Sequence, residues 1–170
     1  VVLRDGRRVL IRTFNDNDAD QLYEFFQQLP VEVRRTAWDN IEDRNLIEAW
    51  SQNIDYSKVF PLIAANGHSI VADATLHRHE RGPLRLVGRI NWLIDPAYRG
   101  QGLGTTMVNN LISIAREHGL RHLSCMPIAE LEQDAIRTLS DLGFEQYPVP
   151  GYGTDPDGNQ YDMVKLVLKL

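Results

Sequence analysis

The residues best suited to chemistry are Arg99-Gly100-Gln101-Gly102-Leu103-Gly104, which stand where an extended run changes into a helix. Before them, the apolar run from Leu86 to Ile94 predicts a strand, which the pair Asp95-Pro96 closes. After them, apolar residues recur at helical spacing as far as Gly119. A glycine-rich turn that opens a helix directs bare N–H groups outward, and the helix dipole adds partial positive charge there. The turn therefore predicts a site for a phosphate or diphosphate group.

Two common nucleotide-binding motifs fail at this turn because their spacing is wrong. A P-loop requires Gly-Lys-Ser/Thr at the helix start, and no lysine lies between Lys58 and Lys165. A dinucleotide-binding fingerprint requires a third glycine where Thr105 stands, and an acidic residue at the end of the next strand. The next predicted strand leads to Pro127 without such a residue. The predicted phosphate site is therefore of another kind.

The stretch from Trp92 to Gly104 resembles the acetyl-CoA motif of the GNAT N-acetyltransferase superfamily, whose pattern is Arg/Gln-x-x-Gly-x-Gly/Ala after a hydrophobic strand. A later helix that ends in Leu142-Gly143-Phe144 is a second feature of that superfamily. The resemblance implies acetyl-CoA as cosubstrate, no metal, and direct attack by an amine in a ternary complex. It implies that Leu93 and Ile94 offer backbone hydrogen bonds to pantetheine and the oxyanion. The cofactor-binding residues that it implies are Trp92, Leu93, Ile94, Arg99, Gly100, Gln101, Gly102, Leu103, Gly104 and Thr105.

The predicted elements alternate between α and β without internal repeats. Strands are predicted over 8–13, 59–65, 70–77, 84–94, 121–126, 144–149 and 161–170, and helices over 19–29, 31–50 (interrupted near Asp39-Asn40), 103–118 and 131–142. The resemblance implies an α+β GNAT fold, a mixed and mostly antiparallel sheet of about seven strands flanked by four or so helices, whose central parallel pair splays apart. We expect one domain over residues 1–170; whether it is a fragment of a longer chain stays open.

Composition and charge exclude several classes of partner. The net charge of −5 argues against binding to nucleic acid or an anionic membrane, which needs a basic face. No apolar run approaches the roughly 20 residues of a membrane span. The lone Cys125 permits no internal disulfide and suits a reducing compartment, so we expect a cytoplasmic protein and a core thiol rather than a nucleophile. Whether the protein forms a homodimer stays open.

An amine acceptor requires help with its proton. A lysine-like amine with a pKa of about 10.4 must lose a proton, which costs on the order of 4–5 kcal/mol at neutral pH. The opening segments Leu3–Arg12 and Asp18–Leu29 are similar to bacterial Pat-type protein lysine acetyltransferase domains, which use a glutamate base. Alignment of residues 88–91 with those domains puts Asn91 at that glutamate's position, and an amide cannot accept a proton.

The predicted catalytic residues are therefore Asn91, as a positioning group, and Glu130, as the substitute base, with Glu132 second and His77 as a further candidate. His77 and His79 share one face of a strand, but no third metal ligand is evident. The glycine- and proline-rich span Pro148–Gly158 predicts a mobile loop. In the resembled fold this loop borders the acceptor cleft, where Asp155, Asp157 and Asp162 would favour a cationic amine. The acceptor is thus a protein lysine or a small cationic amine; the alternative function is a catalytically weak module that binds or senses acyl-CoA.

Overall fold

The computed structural model describes residues 1–170 and contains one seven-stranded sheet and five α-helices. The strands are β1 (Leu10–Thr13), β2 (Val59–Asn66), β3 (Ser69–Arg78), β4 (Val87–Ile94), β5 (His122–Cys125), β6 (Glu145–Thr154) and β7 (Gln160–Lys169). The helices are α1 (Ala19–Gln28), α2 (Val31–Thr36), α3 (Arg44–Gln52), α4 (Leu103–Glu117) and α5 (Gln133–Asp141). The strand order is β1-β2-β3-β4-β5-β7-β6, with β4 and β5 parallel, so the predicted fold class is confirmed. No helix is long and apolar enough to cross a membrane.

Residues 1–75 and 92–103 form one compact unit whose core lies around α1 and α3. The chain enters α1 through a short 3-10 turn that Asn15 caps, as the cluster of Asn and Asp residues predicts. Phe25 and Phe26 of α1 are fully buried and pack with Ile47 of α3. Leu93, from the end of β4, packs against the same core. The apolar stripe of α1 therefore fixes the position of the strand that carries the cofactor motif.

Residues 76–91 and 104–170 form the second compact unit, which contains the parallel pairing of β4 and β5. The pairing joins Val87–Arg89 to His122–Ser124. At its centre a Cβ on Gly88 would lie only 2.4 Å from Leu76 and 2.9 Å from Leu120 and Leu123. A side chain at position 88 would therefore force these three leucine side chains to shift. The buried face of α4 includes Leu103, Met107 and Leu111, as its predicted stripe requires, and the helix ends at Gly119 with φ +72°.

The structure corrects two predicted boundaries. β4 begins at Val87 rather than Leu84, because Arg85 and Val87 bond back to Gly82 and Leu84 in a turn. The predicted mobile loop over Pro148–Gly158 is wrong, because β6 continues to Thr154 and pairs with β7 on both sides of an irregularity between Val149 and Gly153. β6 is the edge strand of the sheet, where the missing N–H groups of prolines do not break a ladder.

The turn between β6 and β7 is built around Asp155. Its carboxylate accepts hydrogen bonds from the Asp157 and Asn159 amides, the Asn159 side chain and the Tyr161 hydroxyl, at 2.9–3.1 Å. The Asn159 side chain is the largest of the causes that lower the pKa of Asp155 to about 2. The residue is only 8 % exposed. Asp155, which the sequence placed among the acceptor-binding acids, is thus a structural turn residue.

This turn predicts a specific pH dependence of stability. Since the pKa of Asp155 falls from 3.8 in the unfolded chain to about 2 in the fold, its stabilisation is present above about pH 4 and lost as the pH falls toward 2. Asp155→Asn should therefore lower the urea midpoint at about pH 6, and this difference from wild type should shrink on acidification. Asp157→Asn, a change of equal charge in the same turn, is the control. If the difference in urea midpoint between wild type and Asp155→Asn does not change with pH, this account is contradicted.

Candidate active site

The turn that precedes the glycine-rich loop is braced from the N-terminal segment. Asp95 caps it by accepting from the Ala97 N–H at 2.9 Å. The guanidinium of Arg7 lies 3.8 Å from the ring centre of Tyr98 and donates to the Ala97 carbonyl at 2.7 Å. Asn66, at the end of β2, donates to the Tyr98 hydroxyl at 2.7 Å. The turn before the glycine-rich loop is therefore held by contacts distant in sequence.

The loop itself needs glycine at two positions for its backbone conformation. Gly100 and Gly102 have φ values of +72° and +88°, which residues with a Cβ rarely adopt. No atom lies within 4 Å of the position that a Cβ on Gly100 would take, so this side of the loop is open. Leu103, the first residue of α4, is 1 % exposed and anchors the helix start, while Arg99 beside it is exposed. The predicted anion site at the start of α4 is therefore accessible and has fixed backbone geometry.

Arg4 is a neighbour of this loop that sequence reasoning missed. Its backbone N–H donates to the Gln101 carbonyl at 3.3 Å, and its Nε lies 3.8 Å from the position that a Cβ on Gly102 would take. A tight N-terminal turn, in which the Leu3 N–H bonds to the Arg7 carbonyl at 2.8 Å, holds Arg4 there. Nothing local in the sequence indicates this contact, because it joins residues about a hundred positions apart. It adds a cationic side chain to the predicted anion site.

The end of β4 presents alternating backbone groups to its two edges. The Leu93 N–H donates to the side chain of Asp73 on β3, and the Asp95 N–H donates to the Val71 carbonyl of β3 at 2.8 Å. Since successive residues of a strand direct their N–H and C=O groups to opposite edges, Trp92 and Ile94 face away from β3. The parallel pairing of β4 with β5 covers only Val87–Arg89. The backbone groups of Trp92 and Ile94 therefore lie on the edge of β4 past its pairing with β5.

This geometry refines the predicted cofactor residues. The sequence assigned hydrogen bonds to pantetheine and the oxyanion to Leu93 and Ile94. In the structure the Leu93 N–H is engaged by Asp73, so Trp92 and Ile94 are the pair with outward-facing groups. Both side chains are half-buried, as is that of Asn91.

The two acids between β5 and α5 have different surroundings. Glu130 is exposed and its Oε1 accepts from the Asp162 N–H at 3.0 Å, so it ties this segment to β7. Glu132 is half-buried and its Oε2 accepts from the Ile128 N–H at 2.6 Å. Burial raises the pKa of Glu132, and the Ile128 N–H opposes that rise. Both carboxylates thus have a structural hydrogen bond besides any role in proton transfer.

Cys125 is a core thiol, as expected. It is 8 % exposed, and burial is the largest of the causes that raise its pKa to about 12, followed by the charge of Glu132. A thiol with such a pKa is not a nucleophile at neutral pH. His77 lies half-buried near the end of β3, and the structure shows no group of three or more His, Cys, Asp or Glu side chains that could hold a metal ion.

Asp73 is the second residue that sequence reasoning missed. It lies on β3 between the fully buried Ala72 and Ala74. One of its carboxylate oxygens, Oδ1, is shielded from solvent and has no hydrogen-bond partner. Burial is the main cause that raises the pKa of Asp73 to about 7. A carboxylate within the apolar run from Ile70 to Ala74 is the sequence signal that could have found it.

Comparisons with known proteins identify the family and the fold. Residues 8–145 match the sequence model of the GNAT acetyltransferase domain. The GNAT domain of a PAT protein from S. lividans superposes with a TM-score of 0.81 at 22% identity, with 100% of this chain and 95% of that chain covered. The putative acetyltransferase yncA from Salmonella typhimurium, solved with its cofactor acetyl-CoA, gives 0.79 at 20% identity, with 95% and 94% covered. A ribosomal-protein-S5-alanine acetyltransferase from Vibrio fischeri gives 0.82 at 16% identity, with 99% and 97% covered.

The structural likenesses, all below 25% identity, show the fold, and the domain match shows the family. The residues that the resemblance implies for acetyl-CoA binding lie at the glycine-rich start of α4 and at the end of β4. The chain belongs to the GNAT family of N-acetyltransferases.

Proposed function

We propose that this chain transfers the acetyl group of acetyl-CoA to a primary amine, a protein lysine or a small cationic amine, by direct attack in a ternary complex. The observation that carries the proposal is the positive-φ glycine loop that opens α4 directly after a strand with outward-facing backbone groups. A loop of this kind binds the diphosphate, and the strand end binds the pantetheine arm that carries the thioester.

The cofactor-binding residues follow from the groups described above. The segment Arg99–Thr105 offers its backbone N–H groups, the helix dipole and the Arg99 side chain to the diphosphate. Arg4 adds a second guanidinium beside Gly102. The backbone groups of Trp92 and Ile94 bind pantetheine and stabilise the oxyanion of the tetrahedral intermediate. An anionic cofactor is thus bound by local cationic groups on a chain whose net charge is −5.

A cationic acceptor fits the charge of the rest of the molecule. A net negative surface attracts protonated amines and repels anionic acceptors. The solved relatives do not narrow the class further, since the Vibrio fischeri protein is named for an alanine of a ribosomal protein. A Pat-like preference for protein lysine therefore stays a proposal.

The cofactor site predicts a large effect from one glycine. Gly102→Glu places a strained side chain and a negative charge at the diphosphate, and like charges in contact cost several kcal/mol. We expect calorimetry to show acetyl-CoA binding weakened by on the order of 100-fold or more. Gly119→Glu is the matched control, because Gly119 also has a positive φ (+72°) and lies at the opposite end of α4. No atom lies within 4 Å of the position that a Cβ on Gly119 would take. Equal affinities for Gly102→Glu and wild type would remove the basis for the proposed site.

The acceptor class is tested by a screen with two readouts. Lysine peptides, peptides with a free N-terminal alanine, polyamines and amino sugars are each incubated with acetyl-CoA, and both released thiol and acetylated amine are measured. We expect a cationic primary amine to be acetylated, and its KM to rise with salt because exposed charge pairs are screened. Acetyl-CoA binding without transfer to any acceptor would instead support the alternative, a module that binds or senses acyl-CoA.

A further inference from the structure

The reaction requires a proton acceptor, and the position assigned to it on β4 holds Asn91, which cannot accept a proton. Asp73 on the neighbouring strand has an unusual combination of contacts. One carboxylate oxygen accepts from the Leu93 N–H, on the same strand end that presents Trp92 and Ile94 to the cofactor. The other oxygen, Oδ1, is buried without a partner. Asp73 is therefore held by β4 through one oxygen and leaves the other unused.

An unused buried carboxylate oxygen is costly, and proteins pair almost all such atoms. Burial raises the pKa of Asp73 and the hydrogen bond from the Leu93 N–H opposes that rise, with no charged side chain among the causes of the shift. A purely structural residue at this position needs only the hydrogen bond to Leu93, which an asparagine or serine could also accept. The unpaired Oδ1 thus points to a donor that arrives with the substrate.

We propose that Asp73 is the general base of acetyl transfer, receiving a proton of the acceptor amine at Oδ1 while the Leu93 N–H holds its other oxygen. The inference rests on the proposed transfer to a primary amine. Glu130 and Glu132 are weaker candidates, because each holds the segment before α5 through a backbone hydrogen bond.

The proton and electron movements balance as follows. The Asp73 carboxylate takes one proton from the acceptor ammonium and leaves a free amine. The amine lone pair forms the new C–N bond at the thioester carbon, and the tetrahedral intermediate collapses as the C–S electrons pass to the CoA sulfur. The nitrogen then loses its second proton to the CoA thiolate. Asp73 releases its proton to solvent, which regenerates the carboxylate.

The ionisation of Asp73 suits this role. Its pKa, raised to about 7, keeps a substantial carboxylate fraction at neutral pH and makes that carboxylate a stronger base than an exposed aspartate. Because the active form is the carboxylate, the base-dependent rate should fall as the pH drops below about 7. The acceptor amine has a separate ionisation near its own pKa of about 10.4.

The test is Asp73→Asn, which keeps an oxygen for the Leu93 N–H but removes the proton acceptor. We expect kcat to fall by roughly 10²-fold or more while the Kd for acetyl-CoA stays within about twofold. We also expect the limb of the pH–rate profile near pH 7 to disappear, although the rise from the amine remains. Asp141→Asn, an equal charge change at the exposed end of α5, is the control and should retain wild-type kinetics and pH dependence.

The difference infrared spectrum of wild type against Asp73→Asn gives a second readout, because it reports the carboxyl protonation of Asp73 directly. If Asp73→Asn does not fold, Asp73→Ser, which also keeps an oxygen for the Leu93 N–H, and the pH titration of the wild-type carboxyl bands replace it. Wild-type kinetics in Asp73→Asn or Asp73→Ser, or a carboxyl that ionises near pH 4, would overturn the inference alone. A wild-type enzyme that acetylates no amine in the screen would overturn the proposed function, and this inference with it.

Discussion

The site depends on the unequal bonding of the two edges of β4. Toward β3, the strand end is fixed by the Leu93 N–H on Asp73 and the Asp95 N–H on the Val71 carbonyl. Toward β5, the parallel pairing ends at Arg89. A strand that binds a ligand by its backbone needs both conditions, because one edge must be immobile for the other to be preorganised. The burial of Leu93 against α1 and α3 adds the packing that keeps this strand end in place.

The proposed role of the glycine loop meets a second constraint, which is to bind a highly charged cofactor on an acidic chain. Backbone N–H groups and a helix dipole supply positive potential without adding net charge, and two positive-φ glycines direct those groups outward. The N-terminal turn braces the loop and the turn before it through Arg7 on Tyr98 and Arg4 on Gln101. The first residues of the chain therefore contact the proposed cofactor site although they lie far from it in sequence.

Local patterns predicted the helices, the strands and the glycine-rich loop, because each of these features depends on residues that are close together in sequence. The sequence features that predict the Asn15 cap, the apolar stripe of α1 and the start of α4 lie within or next to those elements. The family resemblance supplied the central parallel pair of the mixed sheet, which no local pattern contains, and the structure supplied the strand order. The continuation of β6 past Val149 was missed because Gly and Pro residues are typical of loops and also of bulges on an edge strand. Only the observed pairing with β7 distinguishes the two.

The active-site chemistry was harder to predict than the cofactor loop because it rests on contacts between distant segments. Arg4 and Asp73 reach the cofactor elements from other parts of the chain, and neither belongs to a motif. Glu130 and Glu132 were chosen for their place before α5, but in the structure each also holds a backbone N–H. Both residues stay candidates, and their hydrogen-bond partners could be seen only in three dimensions.

The backbone amides of the cofactor elements provide the most direct test of this account. In a ¹⁵N–¹H correlation spectrum titrated with acetyl-CoA, we expect the largest shifts at the amides of Trp92, Ile94 and residues 100–105. The amide of Leu93, already bonded to Asp73, should change less than its two neighbours. Shifts that centre elsewhere on the chain, or a Leu93 amide that moves with Trp92 and Ile94 equally, would contradict the claim that one fixed edge of β4 prepares the other for the cofactor.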